Sequence, residues 1–184
     1  VHRSAFVDTD IAVYRKVMEV NFFGSLNCSK AALPHLLERR GLIVVISSIA
    51  GVAPLYGRTG YAASKHALHG LFESARTELQ ERGVRVMLAC PNFTRSPFEQ
   101  RAMGADGQPA GTQRSMTGRL AEPGEVAAAV VAGAQRRHRA DCCGWRLPSR
   151  PTVTWMRPLS NEDLAGHHCI DGNGPDGLWG CEAG

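Results

Sequence analysis

The segment YAASK at positions 61–65 places a lysine four residues after a tyrosine. Residues four apart on an α-helix differ by ~400° of rotation and ~6 Å of rise, so Tyr61 and Lys65 are predicted to share one face. An isolated tyrosine has a pKa near ~10, and a cation within ~4–6 Å lowers the pKa of an acid by ~1–3 units. We therefore predict that Lys65 makes Tyr61 a usable general acid/base, a role that contributes ~10²- to 10⁴-fold in rate.

Two serines offer a third polar side chain that could act together with Tyr61 and Lys65. Ser47 and Ser48 close the run LIVVI and precede Tyr61 by 14 and 13 residues. This β-branched run follows Gly41 and is typical of a strand buried on both faces of a parallel sheet. Open α/β sheets bind ligands at the carboxyl ends of their strands, so Ser48 is predicted to bond a carbonyl or alcohol oxygen. A Tyr–Lys pair at this spacing also occurs by chance on solvated helices. The order of a buried strand, a serine, a tyrosine and a lysine along the chain nevertheless favours a catalytic site.

The elements that must position these groups alternate between helix and strand. Apolar residues recur at helical spacing over 10–38 and over 60–82, whereas VRVMLAC at 84–90 has the pattern of a second buried strand. The segment 122–137 predicts a third helix, with Pro123 near its start. This order is expected of an α/β layer fold. The apolar positions predicted to face the core are Ile11, Tyr14, Met18 and Phe22 on the first helix and Ala63, Ala67, Leu71, Ala75 and Leu79 on the second.

The composition, 184 residues of which 43% are hydrophobic and 21% charged, fits one globular domain. The longest apolar runs fall far short of the ~20 residues of a spanning helix, so no membrane segment is predicted. Cys28 and Cys90 lie in apolar contexts and are interpreted as buried free thiols of a reducing compartment, which predicts a cytoplasmic protein. The net charge is only +4, and scattered arginines favour a solvated surface over a nucleic-acid site; they are Arg76, Arg82, Arg85, Arg95 and Arg101.

These motifs resemble the short-chain dehydrogenase/reductase family, in which a serine precedes a Tyr-x-x-x-Lys motif by about thirteen residues. The resemblance extends from about residue 5 to 137 and includes VNFFG, where Asn21 matches the fourth catalytic residue of the family. It implies that Tyr61 is the general acid/base, that Lys65 holds the nicotinamide ribose and lowers the tyrosine pKa, and that Ser48 orients the carbonyl. It also implies that Asn21 anchors a water in the proton relay.

The resemblance implies NAD or NADP as the cofactor, bound by Tyr61, Lys65 and the loop at Pro91 and Asn92. Asn92 stands where the family has a glycine, which makes cofactor contact there less certain. No strand followed by a glycine-rich turn precedes these motifs, and GADGQPAG at 104–111 is interpreted as a flexible loop on the substrate side. The predicted fold is therefore a Rossmann-like doubly wound parallel sheet that is incomplete, with the N-terminal nucleotide-binding βαβ units missing. Such a chain alone is expected to bind dinucleotides weakly.

The composition changes abruptly after residue 139, which divides the chain into a catalytic part, 1–139, and a tail, 140–184. The tail is rich in Cys, Trp and Gly, and we interpret it as divergent or translated out of frame. No metal site is predicted, because the tail's cysteines and histidines lack paired ligand spacing; they are Cys142, Cys143, His167, His168, Cys169 and Cys181. Of the other histidines, His66 and His69 are predicted to be surface or packing residues and His35 a surface residue.

Two classes of function follow. The first is an oxidoreductase that moves a hydride between NAD(P) and a secondary alcohol or ketone, a small-molecule substrate. The second is a non-catalytic chain that serves as a dimerising or interaction module. The resemblance implies a homodimer or homotetramer formed through helices 10–38 and 60–82 in either case, and nucleotide binding would distinguish the two classes.

Overall fold

A computed structural model describes residues 1–98, 100–111 and 120–135 and the backbone of 153–155. Helices α1 (Ile11–Met18) and α2 (Gly24–Arg39) are joined by a π-helical turn (Glu19–Phe23). Strand β1 (Leu42–Ile46), a 3₁₀ turn (Ile49–Gly51), helix α3 (Thr59–Gln80) and strand β2 (Arg85–Pro91) follow. Helix α4 (Pro123–Gln135) and strand β3 (Val153–Trp155) complete the described elements. The helix-strand alternation predicted from sequence is confirmed, with boundaries within about two residues.

The predicted helix over 10–38 is continuous but contains one wide turn. The π-helical turn, Glu19–Phe23, inserts there, and the helix ends at Arg39, followed by Arg40 in the left-handed conformation with φ 49°. The amide of Gly41 then donates to the Leu36 carbonyl at 2.8 Å, which satisfies a carbonyl in the last turn. The predicted end near Gly41 is thus confirmed.

The predicted core faces of the helices are confirmed only in part: Phe22, Leu71 and Leu79 are partly buried and pack against the core. On α1, Val13 and Val17 are buried, whereas Ile11 is 66% exposed. On α3 the buried side chains include Tyr61 and, each one position after a predicted alanine or leucine, Ser64, Leu68, Phe72 and Arg76. Alanine carries little information about burial, and the true face includes polar residues that find partners inside.

The sheet has the order β1-β2-β3, with β1 parallel to β2. Ile46 pairs with Ala89, so the two strands end together, whereas β3 pairs antiparallel with β2. The core contains Val45, Leu68, Phe72, Val86 and Leu88. The prediction that β1 is buried on both faces was wrong: Val44 and Ile46 on its other face are exposed, Ile46 at 50%. The prediction for the second strand is confirmed, since Val86 to Cys90 are all buried.

Two single-residue expectations also fail. Cys28 is exposed, and of the two thiols in the described part of the chain only Cys90 is buried. Arg76, expected on a solvated surface, is buried, where its Nε donates to the Val86 carbonyl at 3.0 Å and its guanidinium pairs with Glu73. A carbonyl and a carboxylate thus accept from the buried guanidinium, while its Nη2 has no partner among the described residues.

The segment GADGQPAG is an ordered turn rather than a flexible loop. The amide of Gly104 donates to the Gln108 carbonyl at 2.6 Å, and Gly107 supplies a positive φ of 82°. The amide of Asp10, just before α1, donates to the Ala105 carbonyl at 2.9 Å. These bonds hold the turn against the beginning of α1.

Within the described ranges, no helix combines the length and apolar character that crossing a bilayer demands. The same ranges contain no group of three or more His, Cys, Asp or Glu side chains that could hold a metal ion. The predicted boundary at residue 139 and the cysteines and histidines beyond it lie outside the described residues.

Candidate active site

Tyr61 and Lys65 lie on the first two turns of α3, above the ends of β1 and β2. The Lys65 Nζ lies 5.8 Å from the centroid of the Tyr61 ring, so the two side chains do share a face. The Tyr61 side chain is buried. The Lys65 ammonium therefore lies over the buried Tyr61 ring, as a cation over an aromatic face.

Lys65 connects α3 to the end of β1. Its Nζ donates to the carbonyl of Ile46 at 2.9 Å. Burial lowers the pKa of Lys65 from 10.5 to about 8, and the field of the Cys90 thiol opposes that shift. The side chain is therefore still mainly protonated at neutral pH, and the structure holds a cation at the carboxyl edge of the sheet.

Ser48 begins the 3₁₀ turn that follows β1. Its backbone is extended, with φ −165° and ψ 163°, and its Oγ accepts from the amide of Ala50 at 3.2 Å. Because this bond uses a lone pair, the hydroxyl proton of Ser48 remains able to bond another oxygen. The preceding residue fixes this corner to the sheet, since the Ser47 amide donates to the Ala89 carbonyl at 2.7 Å.

Asn21 lies in the π-helical turn and contacts the first turn of α3. Its Nδ2 donates to the Ser64 Oγ at 2.9 Å, and the Ser64 hydroxyl donates to the Tyr61 carbonyl at 2.8 Å. The Asn21 carbonyl accepts from the Ser25 hydroxyl at 2.7 Å. The Asn21 side chain thus supports the backbone of the helix turn that carries Tyr61.

Pro91 ends β2, and Asn92 begins the loop after it. The Asn92 Oδ1 accepts from the amide of Phe93 at 2.8 Å, while the Asn92 carbonyl accepts from Thr94 Oγ1 at 2.9 Å. Among the described non-glycine residues only Arg40 has a positive φ. The asparagine at the position of the family glycine is therefore free of left-handed strain.

His2, which no sequence pattern indicated, is fully buried beside the start of α3. Its Nε2 accepts from the amide of Gly60 at 2.8 Å, and its Nδ1 lies 3.1 Å from the Ser4 Oγ. Since Nε2 accepts, the proton resides on Nδ1 and the ring is neutral. Burial is the main cause that lowers the pKa of His2, and the neighbouring charges of the amino terminus and Arg58 add to it. His2 therefore caps the helix that bears Tyr61.

Replacing His2 by alanine is expected to lower the free energy of unfolding by ~1–3 kcal/mol, because the buried Gly60 amide loses its acceptor. His2→Gln is the matched control, since its carbonyl oxygen can accept the same bond. The wild-type chain should also lose stability relative to His2→Gln as the pH falls below ~6.5, since the folded state resists protonation of His2. Urea unfolding between pH 5 and 8 measures both effects. Parallel pH dependences of the two proteins would contradict the assignment.

Phe98 was also missed, as a lone aromatic in a polar stretch. Its ring lies 5.5 Å from the Tyr61 ring at an angle of 63°, an edge-to-face arrangement. Phe98 is partly exposed, so it covers Tyr61 while keeping an apolar face toward solvent.

The other histidines agree with their predictions. His35 and His66 are exposed. His69, predicted as a surface or packing residue, is buried and bonded to Ser47. Spacing could have indicated this, because His69 continues the four-residue repeat of Tyr61 and Lys65 on one helix face.

Residues 1–105 match the family model described as short chain dehydrogenase. The chain is 35% identical over 160 residues to a Bos taurus protein, dehydrogenase/reductase SDR family member 7B, which covers 86% of this chain and 49% of the relative. The human dehydrogenase/reductase SDR family member 7 is 40% identical over 106 residues, 56% of this chain and 31% of that protein. The chain belongs to the short-chain dehydrogenase family of oxidoreductases, and it spans about half the length, or less, of these relatives.

Solved structures agree with this assignment. A short-chain dehydrogenase from Sphingobium yanoikuyae in complex with NADPH superposes with a TM-score of 0.64 at 25% identity, covering 74% of this chain and 51% of that one. A short-chain dehydrogenase from Streptomyces avermitilis gives 0.61 at 26% identity, covering 72% and 52%. The predicted fold class, a Rossmann-like α/β fold, is confirmed.

Proposed function

We propose that this chain is the catalytic part of an NAD(P)-dependent oxidoreductase that interconverts a secondary alcohol and a ketone. The observation that carries the proposal is the Lys65 ammonium, held 5.8 Å from the centroid of the buried Tyr61 ring and bonded to the end of β1. Neither a core helix nor a simple interaction surface requires a lysine to lie over a buried tyrosine ring.

The proposed roles follow from the bonds of each group. Tyr61 exchanges a proton with the substrate oxygen, and Lys65 stabilises its phenolate through their proximity. Ser48 donates its free hydroxyl proton to the same oxygen, since its lone pair is engaged by the Ala50 amide. Asn21 holds the backbone of the Tyr61 turn through Ser64, and we propose that it also anchors a water in the proton relay.

The residues present fit the nicotinamide end of the cofactor. Lys65 offers a cation for ribose hydroxyls, and Pro91 and Asn92 end β2 at the same edge of the sheet, in the position where ligands bind in this fold class. When bound, the nicotinamide supplies or accepts the hydride. NADPH in the Sphingobium yanoikuyae structure supports a nicotinamide cofactor in general, and we propose NAD or NADP for this chain.

Phe98 supports a substrate with an apolar group beside its carbonyl. The ring packs edge-on against Tyr61 and remains partly exposed, so an apolar substituent could bury it further. We also propose a homodimer or homotetramer through the helices 10–38 and 60–82. The exposed Val20 and Phe23 on the first of these support an apolar contact. The burial of the Cys90 side chain in the core supports a reducing, cytoplasmic location.

Activity is tested in a fusion of the amino-terminal half of a relative to the amino terminus of this chain. This fusion is termed the joined protein. We expect oxidation of secondary alcohols, or reduction of ketones, to be followed at 340 nm as NAD(P)H forms or is consumed. The joined protein should bind a nicotinamide nucleotide that the 184-residue chain alone binds weakly. Nucleotide binding without turnover of any alcohol or ketone would favour the non-catalytic alternative.

Ser48→Ala in the joined protein is expected to lower kcat by ~10²- to 10³-fold, the usual loss for one donor to a reacting oxygen. The loss should be less complete than that of Tyr61, because Ser48 orients the oxygen while Tyr61 transfers the proton. Ser29→Ala is a matched control: its hydroxyl donates to the Ser25 carbonyl within α2. Steady-state kinetics of the two variants make the comparison, and equal kcat values would contradict the role of Ser48.

A further inference from the structure

A buried polar cluster, formed by Ser47, His69 and Cys90, lies directly beneath Ser48. The three residues are 5%, 7% and 0% exposed, respectively. The Nε2 of His69 lies 2.8 Å from the Ser47 Oγ and 3.6 Å from the Cys90 Sγ. The cluster therefore joins the end of β1, helix α3 and strand β2 through one imidazole.

The place of His69 in α3 relates this cluster to the proposed site. His69 follows Tyr61 by eight residues and Lys65 by four, so it lies on the same face of the helix. Its two partners directly precede site residues, Ser47 before Ser48 and Cys90 before Pro91. A change in the imidazole would thus reach the backbone next to both segments.

The turn after Ser48 rests on the same pair of side chains. A Cβ atom at Gly51 would lie 2.7 Å from both the His69 Nε2 and the Ser47 Oγ, closer than real Cβ contacts allow. On the other side of Ser48, the amide of Ser47 is bonded to the Ala89 carbonyl at 2.7 Å. The backbone before Ser48 is therefore hydrogen-bonded to β2, and the backbone after Ser48 packs closely against the Ser47 and His69 side chains.

We infer that Ser47 and His69 are positioning residues, which fix the backbone corner carrying Ser48 relative to Tyr61. The inference rests on the proposed function and deepens it: neither side chain touches the reacting atoms, and both act through the direction of the Ser48 hydroxyl. The distance between two catalytic hydroxyls matters, because a displacement of ~1 Å can cost ~10²-fold in rate.

The surroundings keep His69 neutral. Its Nδ1 is buried and has no hydrogen-bond partner within the described part of the chain, so a charged ring would bury an unbonded donor. Lys65, His66 and Arg76 on its own helix are charged or titratable, whereas Cys90 faces it from β2 and Ser47 from the end of β1. Burial, followed by the fields of His66, Lys65 and Arg76, lowers the pKa of His69 to about 4. The Ser47–His69 bond is therefore unaffected by protonation at physiological pH.

The first test needs no catalysis and uses amide hydrogen exchange in the 184-residue chain. The amide of Ala50 donates to the Ser48 Oγ, and the amide of Gly51 donates to the Ser48 carbonyl at 2.9 Å, so both report on the corner. Ser47→Ala and His69→Leu should each accelerate these two amides by ~10-fold, and the double variant no further, because they remove one shared bond. His69→Gln, whose side chain can still bond Ser47, should restore slow exchange.

The second test is kinetic and uses the joined protein. Ser47→Ala and His69→Leu should lower kcat by ~10- to 100-fold while the KM for the nucleotide changes less than ~2-fold. His69→Gln should retain most of the activity. Phe72→Leu is the control, since it weakens the core on the same helix without touching the cluster and should leave kcat unchanged.

The outcomes separate the two proposals. Unchanged exchange at Ala50 and Gly51 in Ser47→Ala would overturn the positioning role, whether or not the joined protein is active. A loss of kcat in Phe72→Leu as large as that in Ser47→Ala would also overturn it, because kcat would then follow thermal stability alone. No turnover by the unmodified joined protein would refute the proposed function, and amide exchange would still decide whether the corner is held by this pair. If His69→Leu does not fold, Ser47→Ala, which removes one oxygen atom, carries the test.

Discussion

Tyr61→Phe in the joined protein is expected to abolish nearly all turnover, a loss of ~10²- to 10⁴-fold or more in kcat. The substitution removes only the phenolic oxygen, which is the proposed proton donor and acceptor. The ring keeps its edge-to-face contact with Phe98, so folding and apolar substrate contacts should survive. Measuring kcat, nucleotide affinity and the thermal midpoint on the same sample separates a loss of chemistry from a loss of structure.

Tyr14→Phe is the matched control for this prediction. The Tyr14 hydroxyl lies 2.8 Å from the Thr59 Oγ1 at the start of the same helix, so it also removes a phenolic hydrogen bond to α3. This bond is solvent-exposed and should contribute ~1 kcal/mol or less, with little effect on kcat. Full activity in Tyr61→Phe, with an unchanged dependence of rate on pH, would end the acid/base assignment and leave the helices as an interaction surface.

Much of the framework could be predicted from the sequence, because it rests on local patterns. The continuous apolar runs 42–46 and 84–90 became neighbouring parallel strands, and the four-residue spacing of Tyr61 and Lys65 brought their side chains together. Helical geometry and strand pairing depend little on distant residues. The serine at the end of the first strand was therefore in the expected place.

Which residues are buried was harder to predict, because burial of a polar side chain depends on hydrogen-bond partners that are distant in sequence. Ser64 and Arg76 occupy the buried face of α3, since Ser64 donates to the Tyr61 carbonyl and Arg76 to the Val86 carbonyl. Hydropathy alone places such residues outside. Conversely, Val44 and Ile46 are apolar but exposed, since no described element covers that face of β1. A buried strand needs neighbours on both faces, and the described residues supply them for β1 on one face only.

Lys65→Met is expected to remove activity and to leave the chain as stable as the wild type, or more stable. The ammonium is proposed to bind the ribose and to lower the Tyr61 pKa, so both nucleotide affinity and kcat should fall. Its own pKa of about 8 means that keeping it charged in the folded state costs up to ~3 kcal/mol, and less where water reaches it. Losing the bond to the Ile46 carbonyl offsets ~1–2 kcal/mol of that gain.

The sign of the pH dependence makes this prediction specific to Lys65. Its folded pKa of about 8 lies below the unfolded value of 10.5, so wild-type stability should rise between these pH values, and the advantage of Lys65→Met should shrink there. Urea unfolding of both chains from pH 7 to 10.5 gives the difference. In the joined protein, the rate of alcohol oxidation should increase with pH and follow an apparent pKa well below ~10. In Lys65→Met the same increase in any residual rate should occur at higher pH. Destabilisation by Lys65→Met at pH 7 with no shift of this increase would mean that the lysine is a structural anchor rather than the partner of Tyr61.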